Sequence, residues 1–330
     1  MVSRRRLLIA LGANAFSAPF ASFAQLPTKI WRVGFLSSRT RPTSFQSDVF
    51  GAFLDGMSEI GYFEGKNLKV EWRFADGDNS KLPELANDLV RSKVDIILAS
   101  GTPAANAAKN ATTLIPIVMA SINDPVGLGL VKSLPRPGGN VTGLANMSAD
   151  LVPKQLEMLR RISPNLTRVG FLTHPGNPSH ATSEEQVRSA AKKIGVNVWS
   201  FKATNPQEIE SAFASMAGKK VQGVIVAADQ YFRQRRVQLA ELALKHRLLS
   251  VIPNAEFVEA GGLMSYGSNV LSTYRSAAIF VDKILKGSKP SDLPVEQPTK
   301  LELIINGKTA KALGIKIPQS LLISADKVIQ

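Results

Sequence analysis

Cysteine is absent from all 330 residues. Its absence excludes disulfides, thiolate metal sites, a Cys nucleophile and a lipidated N-terminal Cys. Histidine is scarce: only His174, His180 and His246 occur. No HExxH is present and no carboxylate stands at ligand spacing from His174 or His180, so no metal site is expected. His246, in "LKHR", reads as a surface residue near a helix end. No G-x-S-x-G occurs, since "GLMSYG" places Ser265 one residue too far along. No Walker A occurs, since "GYFEGK" is one residue short. Ser37-Ser38-Arg39 follows the first apolar strand where a GxGxxG would stand. With no constellation that does chemistry, the expectation is a protein without catalytic residues or cofactor. Low-complexity tracts and basic helices with interleaved aromatics are also missing. The net charge of +14 comes from 40 Lys and Arg scattered among 26 acids, so it reads as a solvated basic surface and no nucleic-acid partner is expected.

The chain begins with "MVSRRRLLIALGANAFSAPFASFAQ", a basic start, an apolar run and small residues ending at Ala24. That order is a secretory signal over 1–24, too short in its apolar part to span a bilayer. "SRRRLL" also resembles a twin-arginine signal; an ordinary secretion signal with three basic residues is the other reading. Cleavage near Ala24 predicts a periplasmic protein, soluble after release. No later segment approaches transmembrane length. Nothing points to an oligomer, and a monomer is expected.

What is present is a repeat. "RVGFLS" begins at Arg32 and "RVGFLT" at Arg168. After each hexamer comes a helical stretch, 45–60 and 179–194, closed by Ile-Gly, with Gly suited to the left-handed position past a helix end. Then come strands with a central Trp, "LKVEWRF" at 68–74 and "VNVWSF" at 196–201. Helices at 81–93 and 206–220 follow, then the apolar runs "KVDIILAS" and "KVQGVIVAAD". "IPIVMAS" and "LLSVIPN" form a fourth strand in each half. Continuous apolar runs suit strands buried on both faces of a parallel sheet. The pattern is a βαβαβαβ unit occurring twice: an α/β fold with two Rossmann-like, doubly wound parallel-sheet lobes. The stretch 140–146 can carry the chain between lobes, and "KGSKPSDLPVEQP" is a Pro-rich connection. The last hundred residues hold no third copy and are expected to cross back and return. The expected division is 28–143 plus about 263–290 in the N-terminal lobe, and 144–262 plus about 291–330 in the C-terminal lobe.

Ligands of doubly wound sheets sit beyond the C-terminal strand ends. Here those ends carry Ser37, Ser38, Ser100, Gly101, Thr102, Asn123 and Asp124 in the first half. In the second they carry His174, Asn177 and Asp229. In "SGTPAANAAKNA", Thr102 reads as an N-cap and Pro103 as the first helical residue. Free N–H groups there, with two hydroxyls, make a carboxylate seat; a well-capped helix is the alternative. Asp229 could receive an ammonium across a cleft or cap the helix near Tyr231. Asp124 reads first as a cap. Tyr266 is an aromatic wall or a core residue.

Three long stretches, "GYFEGKNLKVEWRFADGDNSKLPELANDLVRSKVDIILASGTPAA", "IPIVMASINDPVGLGLVKSLPRPGGNVTG" and "FVEAGGLMSYGSNVLSTYRSAAIFVDKILKGSKPSDLPVEQPTKLELIINGKTAKALG", resemble the ABC-transporter substrate-binding proteins of the tryptophan/tyrosine-binding type, from about Trp31 to the C-terminus. The resemblance implies a periplasmic-binding-protein type I fold: two lobes, three crossovers, a hinge and a closing cleft. It implies a small-molecule ligand, an ABC permease and its ATPase. It also implies ligand loops at Ser37-Ser38, Ser100 to Ala104, Asn123-Asp124, His174 to Asn177, Asp229 and Tyr266. One departure stands out: "SSRTRP" puts Arg39 and Arg41 where small residues are commoner, either adding a preference for acids or facing solvent. The expected function is a periplasmic receptor of an ABC importer, capturing a small carboxylate-bearing ligand such as an amino acid. A sensory module of the same fold, signalling to a membrane receptor, is the alternative. A hydrolase using Ser265 or Ser100 has no spacing to support it.

Overall fold

The opening hexamer becomes β1 (Trp31–Ser37), inserted between β2 (Leu68–Phe74) and β3 (Ile96–Ser100). With β4 (Ile117–Asn123) and β5 (Val141–Asn146) it forms a five-stranded sheet, order β2-β1-β3-β4-β5, parallel throughout. This computed structural model describes residues 29–46 and 48–330; the expected export signal lies outside the described residues.

The connecting helices are α1 (Val49–Glu59), α2 (Leu82–Arg91) and α3 (Thr102–Ala111). Helix α1 starts later than the apolar spacing from Phe45 predicts. Asp48 caps it, accepting the Val49 N–H at 2.6 Å, which satisfies one of the orphan donors of a helix start. The stretch 140–146, expected as a link between lobes, joins the smaller sheet as β5.

The second hexamer becomes β6 (Arg168–Thr173), preceded by α4 (Ser148–Ile162). The copy then runs α5 (His180–Lys193), β7 (Asn197–Lys202), α6 (Pro206–Gly218), β8 (Gly223–Val226). Next come α7 (Gln230–Gln234), α8 (Arg236–Lys245), β9 (Leu249–Ile252), α9 (Ala255–Glu259) and β10 (Met264–Gly267). Helix α10 (Val270–Leu285) follows, then β11 (Glu302–Asn306), α11 (Gly307–Leu313), α12 (Gln319–Ser324) and β12 (Lys327–Ile329). The larger sheet has the order β12-β11-β10-β9-β8-β6-β7, with β10–β11 as its antiparallel pair. We call each sheet with its helices a lobe.

The chain changes lobe three times. It leaves the smaller sheet after β5, returns after β10, and leaves again before β11. Strand β10 pairs with β9 and β11 in the larger sheet, so the return falls after Gly267, a few residues beyond the boundary read from the sequence. Helix α10 then packs along α1. A Cβ at Gly56 would stand 2.5 Å from the Arg275 carbonyl oxygen, so the two backbones meet where Gly leaves room. The segment near 295 stays with the smaller sheet, where Val295 donates to the Leu134 carbonyl at 2.8 Å.

Both faces of each sheet are buried, as continuous apolar strands require. On the smaller sheet Val33 and Phe35 face Phe50, Phe53 and Tyr274, while Leu36, Ile97 and Met119 face Leu89, Ala104 and Ala108. On the larger sheet Phe171 packs with Leu159, Val187 and Ile305, and Leu172 with Phe213, Phe232 and Phe257. Parallel order sends the C-terminal ends of β1, β3, β4, β6 and β8 toward the space between the lobes.

Candidate functional site

A cavity lies between those strand ends, walled from the smaller lobe by Ser38, Gly101, Thr102 and Asn123, and from the larger by Asn177, Asp229, Gln230 and Arg233. The space in it open to the centre of a water molecule is about 40 Å³, room for a few waters on that measure. A larger solute therefore enters only when side chains or lobes shift.

Helix α3 supplies one wall. Gly101, not Thr102, is its N-cap, with φ +86, a conformation Gly adopts without Cβ strain. Thr102 and Pro103 are the first two helical residues, so the helix starts one residue earlier than the sequence suggests. Ala105 donates the first helical bond, to the Gly101 carbonyl at 3.1 Å, so the N–H groups of Thr102 and Ala104 precede the helical ladder. Thr102 Oγ1 accepts the Asn123 N–H at 3.3 Å, which leaves its own proton free to point elsewhere.

Asp229 supplies the facing wall. Its Oδ1 accepts the Tyr231 N–H at 2.7 Å, capping α7, and its Oδ2 accepts from Asn177 Nδ2 at 2.7 Å. Capping and cavity lining thus coexist, and a carboxylate keeps further lone pairs. Behind it His180 is buried, stacked on Phe232 at 6.5 Å between ring centroids. Its Nδ1 accepts the His174 N–H at 2.9 Å, and its Nε2 lies 3.1 Å from the Ala228 carbonyl, so the proton sits on Nε2. Burial pushes the His180 pKa below 6.5, outweighing the opposite pull of Asp229.

The other anticipated residues support these walls rather than form them. Ser37 is fully buried and accepts the Arg39 N–H at 3.2 Å. Ser100 Oγ pairs with the Tyr274 hydroxyl at 2.5 Å; burial first, opposed by that Ser100 bond, pushes the Tyr274 phenol up to about 12. Ala104 is in the core of the smaller lobe. Asp124 accepts the Gly127 N–H at 2.9 Å, closing a turn rather than capping a helix, and also accepts from Thr182 Oγ1 at 3.3 Å from the other lobe. His174 Nδ1 accepts the Gly176 N–H at 3.1 Å, and its ring stands edge-on to Tyr231 at 5.4 Å. Tyr266 packs against the aliphatic core of the larger lobe, the core reading rather than the wall. Arg39 is buried and locked to Asp48, Nη1 and Nη2 each donating at 2.6 Å, over the Phe50 ring at 5.1 Å; Arg41 lies over Phe45 at 5.4 Å. Arg233, Asn146, Ser148 and Ser268 also line the cavity and were not anticipated. They sit at crossovers or one turn beyond a strand end, where apolar spacing carries no signal.

Polar contacts bridge the lobes around the cavity. Gln230 Nε2 donates to the Tyr274 hydroxyl at 3.1 Å, Asn79 Nδ2 to the Gly176 carbonyl at 3.2 Å, and Ala149 N–H to Asn123 Oδ1 at 3.1 Å. The approach is close: a Cβ on Gly101 would stand 2.9 Å from Gln230 Cγ. Among the described residues no group of His, Cys, Asp and Glu could hold a metal, and no helix is long and apolar enough to cross a membrane.

The chain is 29% identical over 264 residues to a tyrosine-binding protein of Clostridioides difficile, covering 80% of this chain and 76% of that one. It superposes with TM-score 0.82 on an ABC domain in complex with L-Trp from Streptococcus pneumoniae, at 30% identity, covering 91% of this chain and all of that one. Against a ligand-free, open substrate-binding protein with adhesive properties from Clostridium difficile the TM-score is 0.62, at 26% identity and 91% and 100% coverage. The family model described as ABC transporter substrate binding protein matches residues 44–329. Two mostly parallel α/β sheets of the periplasmic-binding-protein type I, enclosing a polar cavity, accompany that match; the chain belongs to the ABC transporter substrate binding protein family and is a substrate-binding protein, not an enzyme.

Proposed function

We propose that this protein is the exported, periplasmic receptor of an ABC importer and that it captures a small carboxylate-bearing solute, an amino acid, between its lobes. One observation carries the reading: the start of α3 and Asp229 face a single cavity from opposite lobes. The helix start offers N–H groups, the Thr102 hydroxyl and the positive end of the helix dipole to a carboxylate. Asp229, steadied by Asn177, offers acceptor capacity to an ammonium. The relatives that bind tyrosine or L-Trp support an amino acid. The better superposition on the L-Trp complex than on the open structure supports a closed arrangement here. Closure is then a shift of population toward the state in which both walls touch the ligand, and the closed surface is what a permease and its ATPase partner read.

Thermal denaturation of the mature chain against amino acids and organic acids tests this. A true ligand at 100 times its Kd adds about 2.7 kcal/mol, several degrees in Tm. If none raises Tm, the ligand class is wrong. Gly101→Ala, which sets a methyl against Gln230, is expected to weaken binding at least tenfold by isothermal titration calorimetry, because the lobes no longer close. Unchanged affinity would remove α3 from the site.

A further inference from the structure

Arg233 stands one turn past Asp229 in α7, 6% exposed, and lines the cavity. Its Nη2 donates to Glu256, while Nε and Nη1 have no acceptor among the described residues. Ser38 Oγ, on the smaller lobe's wall, likewise lacks a partner. Buried N–H and O–H donors left unpaired are costly, and here they gather in the wall of a cleft. The surrounding charge is positive. Arg233, Arg235 and Arg236 fall within four residues. Burial pushes Glu256 up, but Arg233, with a smaller pull from Arg236, holds it below the usual carboxylate range. Asp48 belongs to Arg39, and Asp229 is turned to Asn177 and Tyr231. Among the described residues the lining contains no aromatic ring, and its apolar side chains are Pro103, Ala228, Pro253 and Val270. An indole or phenol seated here would find no ring to stack on and would leave Arg233 further desolvated.

We propose that Arg233 is the specificity-determining residue of the cleft, seating a second, distal anionic group, so that the solute is a short acidic amino acid with one carboxylate at α3 and the other at Arg233. The assignment rests on the amino-acid reading above and narrows it. An Arg fork with free N–H groups pairs with carboxylate more strongly than with a neutral amide.

Isothermal titration calorimetry on the unaltered mature chain compares L-glutamate with L-glutamine, L-aspartate with L-asparagine, and both acids with L-Trp and L-Tyr. The expected result is at least tenfold tighter binding of one acid than of its amide. Arg233→Lys keeps a cation beside Glu256 but removes the fork, and a thermal melt checks its fold. It is expected to weaken the acid at least tenfold and leave the amide unchanged. An amide or aromatic amino acid binding as tightly as the acid overturns the proposal alone, as does equal weakening of acid and amide in Arg233→Lys. Failure of every amino acid to bind overturns it together with the amino-acid reading.

Discussion

The two lobes begin with nearly the same strand and end in different chemistry. Past β1 and β3 the smaller lobe carries Ser38, Gly101 and Thr102, with hydroxyls and backbone N–H groups turned to the cavity. Past β6 and β8 the larger lobe carries the ionisable side chains His174, His180, Asp229 and Arg233, with His180 Nε2 3.7 Å from Asp229 Oδ2. The cores differ as well. Phe35 in β1 touches the rings of Phe50, Phe53, Trp72 and Tyr274 at 4.9–6.3 Å between centroids. Its counterpart Phe171 in β6 sits among aliphatic side chains. Among the described residues each lobe also holds a largely buried Arg–carboxylate pair. Arg39 spends both terminal nitrogens on Asp48; Arg233 spends one on Glu256. The duplicated frame therefore sets strand positions and leaves the chemistry at the strand ends free to diverge. The arginine with both terminal nitrogens engaged holds its own lobe together, and the one with a terminal nitrogen to spare lines the cleft.

Matched substitutions can break this comparison. Phe35→Ala and Phe171→Ala should each cost about 3–5 kcal/mol in urea unfolding. Phe35→Ala should cost at least about 1 kcal/mol more, since aromatic pairs add about 0.5–1.5 kcal/mol beyond burial; equal losses would say the ring cluster adds nothing. Arg39→Met should cost about 3 kcal/mol by leaving Asp48 buried without its partner, with Kd for any ligand unchanged. A changed Kd would bring Arg39 into the site. Gly34→Ala would set a Cβ 2.8 Å from Leu89 Cδ2, and Gly170→Ala one 3.1 Å from Met216 Sδ. Overpacking costs about 1–3 kcal/mol, and the pliable Met should leave Gly170→Ala the milder. The smallest effect is on pH dependence. His180 is held neutral by burial, so the unfolded chain binds its proton more readily. Its contribution is whole above 6.5 and is lost as pH falls below that value. Tm should drop through that window, with Asp229 and His174 the charged and titratable neighbours, and His180→Gln should flatten the drop.

The fold was legible because its strands are continuous apolar runs punctuated by glycine and because the pattern occurs twice. The strand-end rule then named Thr102, Asn123, Asn177 and Asp229, which line the cavity, together with Ser37, Ser100, Asp124 and His174, which do not, without any motif. Tyr266 misled because an aromatic beside glycine fits a ligand wall and a core face equally well; its register opposite Leu303 turns it to the core. Arg233 was missed because "QYFRQRR" gives its three arginines the same local pattern, and the buried one among them is the one paired with Glu256 from α9. The boundary near 263 shifted because β10 is a short strand whose sheet is chosen by its partners β9 and β11.

Composition, the paired hexamers and apolar periodicity by themselves determined two α/β halves with parallel strands, polar turns at their C-terminal ends, and no disulfide. These are local properties, set by backbone geometry and by which side chains avoid water. Tertiary structure alone decided which turns confront one another, which arginine lines the cavity and where the chain changes lobe. Those depend on contacts between residues far apart in sequence, whose energies exist only once the lobes have packed.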